Sequence, residues 1–258
     1  MTTTTTHLNE LVGTEVLPAE QAVLTVRDLR VSYGPVRALT GASLGVSAGT
    51  IMAIVGMNGS GKSTFFNAIM GRVPTENGEI TVCGKSAPYA RRAGLVGYVP
   101  QNDGIDKNFP ITVREVVMMG RYGKMNWTRR PRKEDEDATT AALEMVGLTN
   151  LADRPIGALS GGQRKRAFVA RALAQGARVM LLDEPFAGVD FTSERVIVEL
   201  LKKMAKNGTS LLVSTHDLAS IPRFADEVAL LNRKVHLVAD PQTALQDDNL
   251  VKAFSEGA

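Results

Sequence analysis

Residues 56–64 of the chain read Gly56-Met57-Asn58-Gly59-Ser60-Gly61-Lys62-Ser63-Thr64 and match the phosphate-loop pattern G-x-x-x-x-G-K-[ST]. Glycines in such a loop let the backbone wrap closely around phosphate oxygens, and the helix that follows adds the positive end of its dipole. An apolar run, Ile51–Val55, precedes the loop as a strand buried on both faces would, and a helical stretch, Ser63–Met70, follows it. The Lys62 ammonium is therefore predicted to reach nucleotide β- and γ-phosphates, and the Ser63 hydroxyl to ligate Mg²⁺.

A second apolar run ends in two acids, because Val179–Leu182 is followed by Asp183 and Glu184. This position places both carboxylates at the carboxyl edge of a sheet, where α/β proteins bind ligands. Asp183 is suited to the Mg²⁺ coordination sphere, and Glu184 to orienting and deprotonating the attacking water. By itself, an apolar run followed by two acids more often marks only the end of a strand and a turn. It indicates a nucleotide site here because a phosphate loop precedes it in the sequence.

The order of apolar and helical segments predicts the fold. Loosely alternating segments at Leu24–Leu29 and Gly41–Val46 are typical of antiparallel strands with one buried face. A further buried run at Ser210–Ser214 and a helical stretch at about Ser193–Ala205 continue the alternation of strands and helices. The predicted fold class is α/β with a mainly parallel sheet. The predicted domain spans 23–250, between a disordered tail at 1–22 and a short tail at 251–258.

Residues 112–174 are predicted to form a helical insertion in this α/β core. The region contains no buried-strand run, and its apolar residues fall at helical spacing: Val113, Val116, Val117, then Ala141, Ala142, Met145, Val146. Before the second group, a basic run, Arg129–Lys133, meets an acidic run, Glu134–Asp137. We interpret this junction as a solvated loop leading into a helix, with acids near the positive end of its dipole, although a docking patch is an alternative.

Composition excludes several classes of protein. The balance of 30 Lys and Arg against 27 Asp and Glu gives a formal net charge of +3, which does not indicate nucleic acid as the main partner. A single cysteine, Cys83, excludes an intrachain disulfide, and it is interpreted as a small core or strand-end residue. Apolar runs fall far short of a membrane span and the N-terminus lacks a secretion signal, so we expect a cytosolic chain that docks on a membrane protein.

The segment Leu159-Ser160-Gly161-Gly162-Gln163 opens another helical stretch, Arg164–Gln175. Its serine hydroxyl and glycine N–H groups form a second anion-binding helix end. Two such ends in one chain are hard to explain if both bind the same nucleotide. The arrangement is explained if the second end faces a nucleotide held by another copy of the chain.

With these segments in this order, the chain resembles an ABC (ATP-binding cassette) ATPase from about Val23 to Leu250. The resemblance implies an ATPase core with an antiparallel β subdomain and an inserted helical subdomain. It gives roles to four further residues: Tyr33 stacks on adenine, Gln101 contacts Mg²⁺ and water, Asp190 couples two sites across a dimer, and His216 contacts the γ-phosphate and braces Glu184.

The same resemblance implies a mechanism and a set of partners. Two copies pair head to tail and enclose two ATP molecules between the phosphate loop of one copy and Ser160–Gln163 of the other. Closing and opening of this dimer drives alternating access in an integral membrane permease. The expected location is therefore peripheral, at the cytoplasmic face of the cell membrane.

The run from Asp106 to Gly123 resembles ATPases of bacterial manganese, zinc and iron importers, with manganese the first choice. In that family the segment leads into a groove for a coupling helix of the permease, so Phe109, Ile111, Met118 and Met119 are candidate permease contacts. For the two methionines, packing within the insertion is an equally open interpretation. The metal would bind a separate extracellular protein and the permease, since His7, His216 and His236 form no metal-ligand motif.

Other kinds of ABC protein remain as alternatives. An exporter would use the same ATP chemistry. A soluble ATPase of iron–sulfur assembly or of the ribosome is disfavoured by the single cassette and by the permease-like segment after Gln101. A chromosome-organising ATPase is disfavoured because Lys62 and Ser160 lie too close in sequence for an inserted coiled coil.

Overall fold

Two sheets and a helical region make up residues 22–101 and 109–255, which are the residues that the structure, a computed structural model, describes. The strands are β1 Ala22–Tyr33, β2 Val36–Ser47, β3 Ile51–Val55, β4 Asn77–Val82, β5 Lys85–Ser86, β6 Val96–Val99, β7 Val179–Asp183, β8 Ser210–Thr215, β9 Glu227–Asn232 and β10 Lys234–Ala239. The helices are α1 Lys62–Ile69, α2 Ala87–Arg92, α3 Val113–Met118, α4 Lys133–Met145, α5 Gly161–Gln175, α6 Phe191–Lys206, α7 Pro241–Ala244 and α8 Asp247–Ser255.

The larger sheet has the strand order β10-β9-β3-β8-β7-β6 and is parallel except for β10, which pairs antiparallel with β9. Every residue of β3, β7 and β8 is buried, as expected for parallel strands covered on both faces. The register sets Val55 opposite Thr215 and Asp183 opposite Ser214. The loops that follow β3, β7 and β8 therefore meet at one edge of the sheet.

The smaller sheet is antiparallel, with the order β2-β1-β4-β5, which confirms the predicted antiparallel subdomain. Its inner face packs with Phe65 and Phe66 of α1 in one core cluster against the larger sheet. The turn between β9 and β10 joins the sheets, because the Arg233 carbonyl accepts a 2.8 Å hydrogen bond from the N–H of Thr40. The Arg233 N–H donates to the Ser60 carbonyl at 2.8 Å, so the same turn also fixes the phosphate loop.

The predicted helical insertion is confirmed as α3, α4 and α5, with an isolated bridge between Thr112 and Pro155. A reciprocal cap begins α3: the Thr112 hydroxyl accepts from the Glu115 N–H, and the Glu115 carboxylate accepts from the Thr112 N–H. The residues at helical spacing in α4 do not all lie on its buried face. Ala141 is exposed, whereas Leu143, which was not in that set, is buried. Alanine is common on both the buried and the exposed face of a helix, so its position is a poor guide to which face is buried.

The acidic start of α4 also differs from the predicted solvated junction. The Asp135 side chain is only 2% exposed and accepts a 2.8 Å hydrogen bond from Nε of Arg121. It also accepts from the N–H of Arg132 at 3.0 Å, which satisfies a free donor at the start of the helix. Asp135 therefore joins the start of α4 to the chain that leaves α3.

Three further predictions are corrected. Ile111 is 8% exposed and packs in the core, so it is not available as a permease contact, whereas Phe109 and Met119 are exposed and Met118 is half-buried. Cys83 is exposed in the turn directly after β4, which excludes the core interpretation and leaves that of a strand end. The predicted C-terminal tail begins inside a helix, since α8 continues to Ser255.

Two predicted features lie outside the described residues. The N-terminal tail falls there apart from Ala22, the first residue of β1. Residues 106–108 of the importer-like segment fall there as well. Among the described residues, no helix combines the length and the hydropathy needed to cross a bilayer.

Replacing Asp135 with alanine should lower the free energy of unfolding by about 3 kcal/mol, because Arg121 would remain buried without its partner. Hydrogen bonds from Arg132 and Arg121 lower the pKa of Asp135. Its stabilising contribution is therefore present at neutral pH and is lost as the pH falls below about 4. Denaturant unfolding of the wild type and the variant, at neutral pH and again below about pH 4, measures the loss in free energy of unfolding. The control is Asp153→Ala, which breaks an exposed 3.1 Å pair with Arg114 and should cost under about 1 kcal/mol. Equal losses in the two variants would contradict the buried-pair interpretation.

Candidate active site

A cavity of about 1070 Å³ opens where the loops after β3, β7 and β8 meet. Its lining includes Tyr33, Val36, Arg37, Ala38, Val55, Gly56, Met57, Asn58, Gly59, Ser60, Gly61, Lys62, Ser63, Thr64, Gln101, Asp183, Glu184, His216, Leu218, Arg233, Leu250 and Phe254. The structure thus brings together the phosphate loop, the two acids, Gln101, His216 and Tyr33.

The phosphate loop turns closely from β3 into α1. Gly59 and Gly61 adopt the left-handed conformation, with φ of 82° and 100°. A side chain at Gly61 would also place its Cβ 2.8 Å from the Ala38 carbonyl oxygen, so the loop needs glycine there. The Ser60 hydroxyl is buried and has no hydrogen-bond partner among the described residues, although it lines the cavity. These features fit a backbone cradle that binds a polar ligand.

Lys62 lies over this cradle. Its Nζ donates to the Gly56 carbonyl at 2.6 Å and to the Met57 carbonyl at 3.1 Å. Burial lowers the pKa of Lys62, while the charges of Glu184 and Asp183 oppose that shift. A buried lysine beside two carboxylates places positive charge where phosphate oxygens would enter.

Asp183 is held at the end of β7 by two hydroxyl groups. The Ser214 hydroxyl donates to one carboxylate oxygen at 2.5 Å, and the Tyr98 hydroxyl donates to the other at 3.3 Å. Burial and the Asp183 charge raise the pKa of Tyr98 to about 12, so this phenol stays protonated and can donate. The carboxylate is therefore fixed in orientation at the cavity wall.

Glu184 adopts a left-handed backbone conformation, with φ of 45°, that turns its side chain toward the cavity. One carboxylate oxygen accepts from Nε2 of Gln101 at 3.0 Å, and the other lies 3.0 Å from Nδ1 of His216. The Glu184 side chain is 14% exposed, whereas that of His216 is 67% exposed. A carboxylate held at both oxygens and facing a cavity has the geometry of a general base.

The oxygen atoms at this edge also fit a magnesium ion. Ser63, Gln101 and Asp183 all line the cavity and supply a hydroxyl, an amide oxygen and a carboxylate. Hard oxygen donors of this kind are those that Mg²⁺ accepts, together with phosphate oxygens and water.

The second predicted anion-binding segment lies elsewhere. Ser160, Gly161, Gly162 and Gln163 do not line the cavity of their own chain. Ser160 begins α5 in a reciprocal cap, in which its hydroxyl accepts from the Gln163 N–H at 3.2 Å and its N–H donates to the Gln163 side chain at 2.9 Å. Gly162 packs against α6, since a Cβ there would lie 2.6 Å from that of Ser193.

Asp190 is also outside the cavity. It begins α6, and its carboxylate accepts from the N–H and the hydroxyl of Ser193 at 3.0 and 2.7 Å. These hydrogen bonds lower the pKa of Asp190. Within one chain its contacts are those of a helix cap.

Some residues that line or support the cavity were missed by the sequence analysis. Lys165, on α5, does not line the cavity but supports it: its Nζ donates to the Gln101 carbonyl at 3.1 Å and to the Glu184 carbonyl at 3.0 Å, and no local pattern marks this role. Leu250 and Phe254 of α8, together with Arg233, line the cavity although no function was predicted for the C-terminal part. The spacing of Leu250 and Phe254 by four residues is helical and was the available signal.

Comparison with known proteins agrees with this geometry. A profile of the ABC transporter family matches residues 39–187. The chain is 47% identical over 232 residues to the chelated iron transport system membrane protein YfeB of Yersinia pestis, covering 90% of this chain and 78% of the relative. It is also 47% identical over 232 residues to the manganese transport system ATP-binding protein MntA of Synechocystis sp., covering 90% and 89%.

Two solved structures share the fold. An inward-facing metal-chelate type ABC transporter aligns with a TM-score of 0.79 and 29% identity, over 91% of this chain and 89% of that one. The ADP conformation of the ATP-binding cassette MJ1267 aligns with a TM-score of 0.79 and 25% identity, over 92% and 99%.

The profile match covers more than half of the 258 residues, and the cavity unites a phosphate loop with a carboxylate held at both oxygens. The chain belongs to the ABC transporter family, as a nucleotide-binding subunit that hydrolyses ATP.

Proposed function

We propose that this ATPase powers the import of a transition metal ion, with manganese as first choice and zinc and iron as the other candidates. The observation that carries the ATPase part is the Glu184 carboxylate, which is held by Gln101 and His216 at 3.0 Å each above the phosphate loop. Support for metal import comes from the relatives, which are named for manganese and chelated iron transport at 47% identity. The cargo would be bound by the permease and by an extracellular metal-binding protein.

In this proposal the phosphate loop binds the triphosphate. Backbone N–H groups of Gly59–Thr64 and the N-terminus of α1 receive the phosphate oxygens. Lys62 exchanges its hydrogen bonds with the Gly56 and Met57 carbonyls for bonds to the β- and γ-phosphates. Tyr33, which is half-exposed at the cavity rim, provides a ring face for the adenine base.

Glu184 accepts a proton from the attacking water, and its two partners keep the carboxylate aimed at that water. His216 is exposed enough to contact the γ-phosphate as well as Glu184. Ser63, Gln101 and Asp183 would hold Mg²⁺, which when bound offsets the charge that develops on the phosphate oxygens. The Ser214 and Tyr98 hydroxyls fix Asp183 for this task.

A second copy of the chain completes the site in a head-to-tail homodimer. This part of the proposal is supported by the position of Ser160–Gln163, a helix start that does not line its own cavity and in which the cap engages only the N–H groups of Ser160 and Gln163. Placed against the γ-phosphate held by the partner, this helix start donates hydrogen bonds to the phosphate oxygens that the phosphate loop leaves unbound. Asp190, at the start of α6, would lie between the two sites.

The chain works with a membrane permease, as an ABC transporter subunit does, and we place it at the cytoplasmic face of the cell membrane. Phe109 and Met119 are exposed at the start and end of α3, where the importer-like segment meets the helical insertion. These side chains are the proposed contacts for a coupling helix of the permease, because exposed apolar side chains at such a junction favour a protein partner.

Replacing Glu184 with glutamine should lower the rate of ATP hydrolysis by about 10²–10⁴-fold while ATP binding persists, because the base is lost and the phosphate contacts remain. Steady-state phosphate release measures the rate, and size-exclusion chromatography with ATP should show more dimer than in the wild type. Glu199→Gln, on the exposed face of α6, is the matched control and should leave both unchanged. Hydrolysis at the wild-type rate in Glu184→Gln would show that another group is the base.

Replacing Lys62 with alanine should weaken ATP binding by about 10–100-fold, since charge-assisted hydrogen bonds to phosphate are lost. Titration calorimetry with a non-hydrolysable ATP analogue and Mg²⁺ measures the affinity. Lys202→Ala, which removes an exposed cation from α6, serves as the control and should bind normally. Unchanged affinity in Lys62→Ala would contradict the role of the phosphate loop.

The cargo can be identified in cells that carry Glu184→Gln as their only copy, grown under metal limitation. We expect manganese content, measured by mass spectrometry, to fall selectively against the parent strain. A selective fall in zinc or iron would name that metal instead. If no metal changed, with the protein expressed and other importers deleted, import of metal would be wrong while the ATPase assignment would stand.

A further inference from the structure

Trp127 is the single tryptophan of the chain and is 94% exposed. Tryptophan carries a large apolar surface, and a ring left in water contributes nothing to the folded core. The function proposed above gives this side chain no role. Its exposure therefore calls for a partner outside the chain.

The ring stands at the tip of a formed turn. The Arg129 N–H donates to the Asn126 carbonyl at 3.0 Å, and the Thr128 hydroxyl donates to the Asn126 side chain at 2.6 Å. Arg129 adopts a left-handed conformation, with φ of 49°, and its guanidinium lies over the Tyr122 ring at 5.4 Å. Trp127 is thus presented on a hydrogen-bonded turn.

Residues 122–133, here called the tryptophan loop, carry only basic charges. Arg129, Arg130, Arg132 and Lys133 are all exposed and follow Trp127 directly, and no acid lies in the loop. Acids enter with α4, where Glu134 lies 3.6 Å from Arg132 and Asp135 is occupied by Arg121. Glu136 and Asp137 are exposed further along α4, so the cationic surface is that of the loop itself.

We propose that the tryptophan loop contacts the anionic lipid surface of the membrane that holds the permease, with Trp127 in the headgroup layer. Tryptophan is enriched at that depth because its ring is apolar and its N–H is polar. Arginine and lysine beside it are attracted to acidic headgroups within a Debye length.

A lipid surface fits the loop better than a protein pocket does. The ring is almost fully exposed, and the exposed cations belong to the same loop, so a flat anionic layer can meet both at once. The loop joins α3 to α4 within the helical insertion and begins three residues after Met119, so it lies next to the proposed permease contacts in sequence. The inference rests only on membership of a membrane transporter and is independent of the cargo metal.

The single tryptophan makes the test direct, because intrinsic fluorescence reports on Trp127 alone. The full chain is titrated with vesicles of equimolar phosphatidylglycerol and phosphatidylcholine, and with vesicles of phosphatidylcholine only. We expect a blue shift and a rise in intensity on the anionic vesicles, reversed by high salt, and little change on the neutral ones. No shift on anionic vesicles, or an equal shift on both kinds, would overturn the proposal.

Variants separate the contribution of the basic residues to vesicle binding from that of the Trp127 ring, and vesicle co-sedimentation measures the binding. Arg130→Gln combined with Lys133→Gln should weaken binding to anionic vesicles by roughly tenfold or more, whereas Lys202→Gln with Lys203→Gln on α6 should not. Trp127→Ala should also reduce binding, while Tyr89→Ala, at another exposed aromatic, should leave it unchanged. ATP hydrolysis in solution should be normal in all four, which shows that they are folded. If Trp127 shifts only with the detergent-solubilised permease and never with vesicles, the partner is the permease and the lipid proposal is wrong.

Discussion

The Ser214 hydroxyl is the contact on which the geometry of the site depends. It donates to the Asp183 carboxylate at 2.5 Å and accepts from the Glu184 N–H at 3.0 Å, so one side chain of β8 holds both Asp183, the last residue of β7, and Glu184, which follows it. This is possible because the parallel register sets Asp183 opposite Ser214. His216, the residue that directly follows β8, then meets the Glu184 carboxylate. A slip of one residue in this register would turn every one of these side chains to the other face.

Segments governed by short-range patterns were predictable from the sequence. The buried run Ile51–Val55 is β3 with the predicted bounds, because a strand covered on both faces requires apolar residues throughout. The phosphate loop was predictable because its glycines are needed for backbone reasons, as Gly61 shows. The convergence of Gln101, Glu184 and His216 came from family resemblance, since nothing in their spacing along the chain implies contact.

Features that depend on distant partners were not predictable. Asp135 was assigned to solvent because an acid in the first turn of a helix is usually exposed, and its burial depends on Arg121, fourteen residues earlier. Lys165 was not singled out, since its hydrogen bonds are to carbonyl groups and carbonyls have no sequence signature. Ile111 was a candidate permease contact because it is an apolar residue of the importer-like segment, yet its backbone pairs with Ile156 and its side chain packs inward.

The position of Lys165 has a consequence for how two nucleotide sites influence each other. Helix α5 follows Ser160, the proposed contact with the nucleotide of the partner, and Lys165 near its start holds the main chain of Gln101 and Glu184 in its own site. In the proposed dimer, a ligand that shifts the start of α5 would therefore also shift the main chain of Gln101 and Glu184. If occupancy of one site changes the affinity of the other for nucleotide, thermodynamic reciprocity requires that the reverse effect has the same factor. Cooperativity between the sites would then be a mechanical property of a single helix.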